Sequence, residues 1–568
     1  MVSPKLYNDA SSELIAQIKQ IEKRCDKWAD SLALNDFTYD VAAWGALTSI
    51  IDLIEQQIEK YGHGSWEQRD AISNLGRAGA LLLDTLSKRQ LPLKQVWLRW
   101  TQQLKEASAH AIEAARQCDG FIGCFTLWYQ NRQAVEILSP TRLRFSVPSS
   151  TMDRRVRGYQ QGRRIPNWPS TPDNPFEKSF VNEPQINQML SQLSSRVTLE
   201  GALAIIYPDD SELLSVLRDI LDERFRLRFR HSPLLELGGY NLGTFRRFFA
   251  GLSAFCAVHE YLCDEWCKRK GRYPFESAVM VKASSKWISS LADLCSLDES
   301  QVQMMIKDLS LGTIKALDLL VHPFVSSLDS QTLYLIPHFV QIMKPEESIL
   351  RICSSARRDC YQTIANAKED EMRKRLSQSI PNRYRVIGPQ KLSNSKLPDI
   401  DIVIKDPGNS AILIGELKWI RQPIRAIDQI DKDAELEEGF RQLCDIREFL
   451  QQNPHYLKEC GIIERGEHHP IISYAVIARD HITNTLEKDG IWLAEFDALN
   501  WALHNSINLT DAIKRLQTND WLPLEGRDFA VQFEAGSMAG VTMEAESFHR
   551  MQDASNVSDG SSAGGPSV

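Results

Sequence analysis

The sequence predicts a multidomain protein with mainly α-helical N-terminal regions and a C-terminal α/β domain, in which helices flank a mixed sheet. Three observations support this fold class. The 568 residues are too many for one ordinary hydrophobic core. In the N-terminal quarter, apolar residues such as Leu14, Ile18 and Ile21 recur at helical spacing. In the C-terminal third, short apolar runs typical of buried strands alternate with helical patterns.

Composition narrows the class of protein further. Hydrophobic residues make up 43% of the chain and charged residues 25%, as in soluble globular proteins. There is no run of about eighteen apolar residues and the N-terminus is polar, so we expect neither a membrane span nor a secretory signal. The 11 cysteines include no Cys-x-x-Cys pair. This predicts reduced thiols and a cytoplasmic protein.

Shifts in composition along the chain predict five regions. A helical bundle is followed by a basic, proline-rich linker or loop. A second mainly helical region and the α/β domain come next, and a tail rich in Gly, Ser and Ala is expected to be disordered. The predicted boundaries are 1–139, 140–184, 185–354, 355–525 and 534–568.

Positive charge is concentrated in two stretches, 142–164 and 224–230, although the net charge of the chain is −8. A protein of negative net charge must gather positive charge locally to approach a polyanion. In the second stretch, arginines alternate with apolar residues, which as a strand would give one all-arginine face and as a helix end would not. The alternative is that these arginines pair with acidic helices of the same chain. The predicted nucleic-acid-binding residues are Arg154, Arg155, Arg157, Arg163, Arg164, Arg224, Arg226, Arg228 and Arg230.

The most informative segment is 397–419, which predicts two short strands joined by a turn at 407–409. Asp399 opens the first strand, and Glu416 and Lys418 close the second. Residues two apart on a strand share a face, so Glu416 and Lys418 are expected to project together. Two carboxylates side by side suit a hard divalent cation, and an ammonium group beside them can orient a water molecule.

At these residues the chain resembles the PD-(D/E)XK, or restriction-endonuclease-like, nuclease superfamily. That pattern is Pro-Asp, a spacer, then Asp or Glu, any residue, and Lys. Here it would be Pro398-Asp399 followed, after sixteen residues, by Glu416-Leu417-Lys418. The predicted order of helix, three strands, helix and strand is the core order of that superfamily. The corresponding segments are 359–379, 384–390, the two strands of 397–419, 434–452 and 471–478, with a further strand at 491–496.

The resemblance implies a role for each residue of the motif. Asp399 and Glu416 would bind Mg²⁺ or Mn²⁺, with the Leu417 carbonyl as a third ligand. Lys418 would hold the attacking water or offset charge on the phosphate in the transition state. Asp401 is a spare carboxylate on the same strand, for which a solvated surface position is the alternative.

Two further residues are candidates through the same resemblance. The superfamily often adds an acidic residue from its first core helix, and Glu371 is our choice there. On the second helix, Gln442 resembles a glutamine that several subfamilies place near the metal. One large subfamily pairs that glutamine with a tyrosine, but Ile446 occupies the corresponding position here. This difference puts membership of that subfamily in doubt.

The function that the resemblance implies is a Mg²⁺-dependent nuclease that cleaves DNA, more in keeping with an endonuclease than an exonuclease. RNA stays open as a substrate. The architecture also suits a prokaryotic restriction or phage-defence effector whose helical regions bind a partner protein or a second copy of the chain. The alternative is a non-catalytic protein that binds nucleic acid or another protein with the same fold.

Overall fold

The chain folds into two compact units, each assembled from separate stretches of sequence. The sheet unit comprises Met1–Gln17, Cys124–Asn167 and Met372–Val568, and the helical unit comprises Ile18–Gly123 and Trp168–Glu371. The computed structural model describes residues 5–61, 66–89, 98–148, 151–164, 184–200, 204–206, 210–271, 273–314, 318–392, 397–408, 410–420, 428–463, 470–479 and 481–550. In these ranges, every helix is too short or too polar to cross a membrane.

This division corrects the predicted domain boundaries. The helical regions predicted at 1–139 and 185–354 contribute most of their residues to one unit rather than to two. Residues 124–167 instead belong with the C-terminal part of the chain. Helical periodicity shows which face of a helix is buried, but it does not specify which distant segment covers that face. The sequence pattern therefore predicted the helices better than their grouping.

The described residues form eighteen α-helices, together with two short 3₁₀ turns at Trp28–Ser31 and Ala33–Asp36. The α-helices are α1 (Ser12–Cys25), α2 (Tyr39–Tyr61), α3 (Trp66–Ser87), α4 (Gln102–Tyr129), α5 (Thr151–Arg164), α6 (Pro184–Ser195), α7 (Ser211–Arg228), α8 (Leu242–Lys270), α9 (Phe275–Ala278), α10 (Ser284–Cys295), α11 (Glu299–Asp308), α12 (Pro337–Ile342), α13 (Pro345–Ala356), α14 (Arg358–Ser379), α15 (Asp428–Gln452), α16 (Tyr456–Glu459), α17 (Phe496–Asn505) and α18 (Leu509–Gln517).

Fifteen strands form four sheets within the same residues. The strands are β1 (Ala134–Ser139), β2 (Arg142–Ser146), β3 (Thr198–Glu200), β4 (Ala204–Ile206), β5 (Met280–Ala283), β6 (Phe324–Ser326), β7 (Thr332–Leu335), β8 (Arg385–Ile387), β9 (Ile402–Asp406), β10 (Ala411–Trp419), β11 (Ile471–Arg479), β12 (Glu487–Lys488), β13 (Ile491–Glu495), β14 (Phe529–Met538) and β15 (Val541–Arg550). The sheet orders are β3-β4, β5-β7-β6, β12-β13-β11-β10-β9-β8 and β1-β2-β15-β14.

The helical unit is built around α8, which is buried along most of its length. The side chain of Asn241 caps its first turn by accepting the Thr244 N–H at 2.9 Å. Gly271, with φ of +68°, ends the helix in the left-handed conformation that glycine adopts without a steric cost. Helices α7, α10 and α12 pack on α8. Phe245, Phe248 and Phe249 fill this core.

The six-stranded sheet confirms the predicted order of helix, three strands, helix and strand from α14 to β11. Strands β8, β9 and β10 are antiparallel neighbours. Strand β11 is parallel to β10, and β13 is parallel to β11. The crossover helix α15 packs on β10 and β11 through Leu436, Phe440 and Leu443. The ends of β10, β11 and β13 therefore meet the start of β9 at one edge of the sheet.

The second sheet corrects two predicted regions. The tail predicted to be disordered from 534 is ordered as far as 550, because β14 and β15 form a long hairpin and β15 pairs with β2 in parallel. The predicted linker or loop at 140–184 contains β2 and α5, although 165–183 lie outside the described residues. Arg144 donates to Glu544 at 2.7 Å and Arg142 donates to the same carboxylate at 2.7 Å. Charges about 400 residues apart in sequence thus stabilise this pairing.

Candidate active site

The structure brings Glu416 and Lys418 together near the end of β10. Lys418 Nζ lies 2.7 Å from Glu416 Oε1, and it donates a hydrogen bond to Gln442 Oε1 of α15 at 2.7 Å. Glu416 is buried, with 4% of its surface exposed, and Lys418 is half-buried. The two side chains share a face, as the period of two in a strand predicts. The helix after the strand supplies the second acceptor for the ammonium group.

The carboxylate that joins this pair belongs to Asp401. Its Oδ2 accepts the N–H of Leu417 at 2.9 Å, which places this carboxyl group next to the strand residues Glu416 and Lys418. Asp401 directly precedes β9, and the pairing of β9 with β10 ends where Ile402 meets Gly415. The main chain of Asp401 therefore lies beside Glu416.

Asp399, our first choice from the sequence, is exposed. It precedes the bridge in which Ile400 and Gln390 exchange two backbone hydrogen bonds of 2.9 Å. The structure therefore places Asp401, rather than Asp399, beside Glu416, and metal binding by Asp399 stays a prediction. The motif pattern could not separate the two residues, because both are aspartates near the same strand start.

The electrostatics of the site centre on Asp401. Burial raises the pKa of its carboxyl group above the usual range, while the Leu417 N–H and the nearby Lys418 and Arg373 charges oppose that rise. The Asp401 and Glu416 carboxyl groups are close enough to influence each other's charge, and a cation bound between them would favour the charged form of both.

The donor set fits a hard divalent cation. Within a strand the N–H and C=O of one residue point to the same side, so the Leu417 carbonyl faces the side on which Asp401 lies. Two carboxylates and this carbonyl are oxygen ligands of the kind that Mg²⁺ and Mn²⁺ take. Across the described part of the chain, no three His, Cys, Asp or Glu side chains gather as a metal cluster. In protein sites Mg²⁺ usually keeps several water ligands besides its carboxylates.

Helix α14 contributes an arginine to this site. Arg373 Nε donates to the backbone carbonyl of Asp401 at 3.1 Å. Glu371, which we predicted from the same helix, is half-buried, and its role stays a prediction. Sequence reasoning missed Arg373 because the resemblance implies an acidic residue from this helix. The run of bases at 373–375 is the signal that could have indicated it.

Gln442 and Gly439 shape the position of Lys418 from the side of α15. Gln442 accepts the ammonium hydrogen bond, so the structure supports its predicted place near the motif. An ideal Cβ at Gly439 would lie 3.2 Å from Cε of Lys418 and 3.2 Å from Cγ1 of Val476. Glycine therefore leaves room for the lysine stem between α15 and β11. A glycine inside a helix, three residues before Gln442, was the overlooked signal.

Two of the predicted nucleic-acid-binding arginines instead bond within the sheet unit. Arg154 pairs with Glu546 at 3.0 Å and with Glu525 at 3.4 Å. Arg155 donates to three backbone carbonyls in 519–523, at 2.6 to 3.1 Å. These contacts favour the alternative that the arginines hold the chain's own elements together.

The structure says less about nucleic-acid binding by the other predicted arginines of α5. Burial of the Arg157 guanidinium lowers its pKa to about 10, which is a poor environment for a phosphate contact. The side chains of Arg163 and Arg164 lie outside the described residues.

The stretch 224–230 is helical up to Arg228, so its arginines do not form the single face of a strand. Arg226 is exposed and pairs with Glu223 at 2.6 Å, one turn earlier in α7. Arg230 is also exposed, and its backbone N–H donates to Glu346 at 3.0 Å. Arg224 and Arg228 are half-buried. Binding of nucleic acid by this stretch stays a prediction.

Comparison of the chain with protein-family models, with curated proteins and with solved structures found no match.

Proposed function

We propose that this protein is a metal-dependent nuclease that hydrolyses phosphodiester bonds, with DNA as its first substrate and a restriction-endonuclease-like domain in the sheet unit. The observation that carries the proposal is the meeting of Asp401, Glu416 and Lys418 at one edge of the six-stranded sheet. The element order from α14 to β11 resembles the core of that superfamily. A buried Glu416 with a half-buried Asp401 beside it is costly for stability alone, which favours a functional role.

Asp401, Glu416 and the Leu417 carbonyl would hold Mg²⁺ or Mn²⁺. When bound, the cation would polarise the scissile phosphate and lower the pKa of a bound water. The two acceptors around Lys418 fix the direction of its ammonium group. Lys418 would then donate a hydrogen bond to the phosphate oxygen on which charge develops.

Arg373 and Gln442 act on this site indirectly. Arg373 fixes the main chain of Asp401 through its carbonyl, and Gln442 fixes Lys418 through its amide oxygen. Both bonds place reacting groups before substrate arrives, which is how positioning contributes to rate. The biological role that we propose, a restriction or phage-defence effector, rests on the multidomain architecture alone.

The test is cleavage by the purified full-length protein. Supercoiled plasmid should become nicked and linear with Mg²⁺ or Mn²⁺, and EDTA should stop the reaction. A Glu416→Gln preparation, purified in the same way, controls for a contaminating nuclease and should be inactive. Covalently closed and end-blocked linear DNA separate endonuclease from exonuclease activity, and a matched RNA tests the substrate class. If the wild type cleaves none of these with either metal, the non-catalytic alternative is favoured.

A further inference from the structure

A strongly basic segment leads directly into the candidate active site. Residues 372–398 contain seven Lys or Arg and no Asp or Glu, in a chain whose net charge is −8. The segment runs from the last turns of α14 through β8 to the loop before Asp401. Its basic residues are Arg373, Lys374, Arg375, Arg383, Arg385, Lys391 and Lys396. Lys396 lies outside the described residues.

Three of these bases anchor the segment to the sheet unit. Arg373 donates to the Asp401 carbonyl at 3.1 Å. Arg383 donates to the Leu503 carbonyl at 2.8 Å. The guanidinium of Arg375 lies 5.4 Å from the centre of the Phe496 ring. These contacts restrain both the helical part of the segment and the turn that follows it.

Three other bases, Lys374, Arg385 and Lys391, are exposed. Arg385 begins β8, which is the outermost strand of the sheet and the neighbour of β9. Lys391 follows Gln390, whose bridge to Ile400 joins it to the segment of Asp399 and Asp401 just before β9. The exposed bases therefore lie along the segment that leads to Asp401 and Glu416. Arg385 and Lys391 lie on or just after the outermost strand of the sheet.

We propose that Lys374, Arg385 and Lys391 form a basic approach surface that binds the phosphate backbone of a nucleic acid and directs it to the site of Asp401, Glu416 and Lys418. This surface rests on the proposed nuclease function, because a nuclease site identifies the polyanion as a nucleic acid. Exposed cations without acids in the same segment suit a repeating anion.

The experiment measures DNA binding without cleavage. Every full-length protein in it therefore carries the Glu416→Gln substitution. A short fluorescent DNA duplex is titrated at several salt concentrations against this background and against Lys374→Gln/Arg385→Gln/Lys391→Gln added to it. The triple substitution should weaken binding and lower the slope of log affinity against log salt by up to about three, at roughly 0.9 per phosphate contact. The same measurement on RNA shows which polyanion the surface prefers.

The matched control is Lys458→Gln/Lys488→Gln/Lys514→Gln, which removes three exposed charges from the same unit. It should leave the salt slope unchanged, because a local surface and not net charge sets the number of phosphate contacts. An unchanged slope in the Lys374 triple variant, an equal loss in the control, or no binding by the parent protein would each overturn the proposal. A circular-dichroism melt confirms that each variant is folded.

Failure of this surface can be told apart from failure of the proposed function. If the wild type cleaves DNA with Mg²⁺ while the triple variant keeps its salt slope, the nuclease stands and the surface is wrong. If the parent binds DNA with a salt slope that the triple variant loses, while the wild type never cleaves, the surface stands and the nuclease is wrong.

Discussion

Both units bury a carboxylate beside a cationic side chain, but only one arrangement is complete in itself. In the helical unit, Asp308 at the end of α11 is 3% exposed. It accepts the Tyr240 hydroxyl at 2.5 Å and the Arg357 guanidinium at 2.5 and 2.6 Å. Arg357 also donates to the Leu237 carbonyl at 2.7 Å. One acid, one base and neutral donors thus balance within a closed network.

The sheet edge differs because two acids crowd one lysine. The main chain of Asp401 lies beside Glu416, and burial raises the pKa of the Asp401 carboxyl group. Lys418 and Arg373 offset the charge from two sides. A balanced buried pair serves stability, whereas two adjacent acids at strand ends keep the capacity to bind a cation. The adjacency of two acids, rather than burial, distinguishes the two regions.

The largest effect on cleavage is expected from substitution of the acids at the sheet edge. Asp401→Asn and Glu416→Gln should each lower the single-turnover rate of plasmid cleavage by about a hundredfold or more, because an amide binds a hard cation poorly. Asp399→Asn, two residues away and exposed, is the matched control and should keep nearly full activity. If Asp399→Asn loses activity and Asp401→Asn keeps it, the assignment from the sequence motif was right.

Removal of Lys418 tests the role of the positively charged side chain in the same site. Lys418→Ala should lower turnover by about a hundredfold while binding of Mn²⁺ and DNA is retained, since its task lies in the chemical step. Titration calorimetry with Mn²⁺ and a gel-shift measurement in Ca²⁺ follow the two retained properties. Loss of metal affinity in this variant would contradict the role that we give to Lys418.

The closed network of the helical unit should respond in stability and not in activity. Asp308→Asn should lower the free energy of unfolding by about 3 kcal/mol, because Arg357 would remain partly buried without its counter-charge. Urea titration measures this loss. Glu223→Gln, which breaks the exposed pair with Arg226, is the control and should change little. A fall in cleavage rate per folded molecule in Asp308→Asn would remove the contrast between the regions.

The smallest predicted effect concerns Gly439. Gly439→Ala should lower turnover by about tenfold, because its Cβ would press on Cε of Lys418 and displace the ammonium group. Gly120→Ala, in α4 with open space around its Cβ, controls for the gain in helix propensity and should leave turnover unchanged. In a Lys418→Ala background, Gly439→Ala should have no further effect on rate. Equal losses in both backgrounds would show that Gly439 acts by another route.

Much of the fold around the site could be predicted from local pattern. The helix of α14, the strand pair with its turn, the helix of α15 and the strands β11 and β13 lie close to their predicted positions. The shared face of Glu416 and Lys418 follows from the period of a strand. These features depend on residues a few positions apart, which is why periodicity and turn chemistry indicate them.

Other features depend on contacts between distant segments, and only the tertiary structure decided them. The choice of Asp401 over Asp399 depends on where β9 stops pairing with β10. Arg154 pairs with Glu546, and the hairpin of β14 and β15 pairs with β2. In each case the partners are about 400 residues apart in sequence. The sequence by itself determined which residues carry charge and which faces are apolar. Which charges meet was set by long-range packing, because local propensity carries no information about a distant partner.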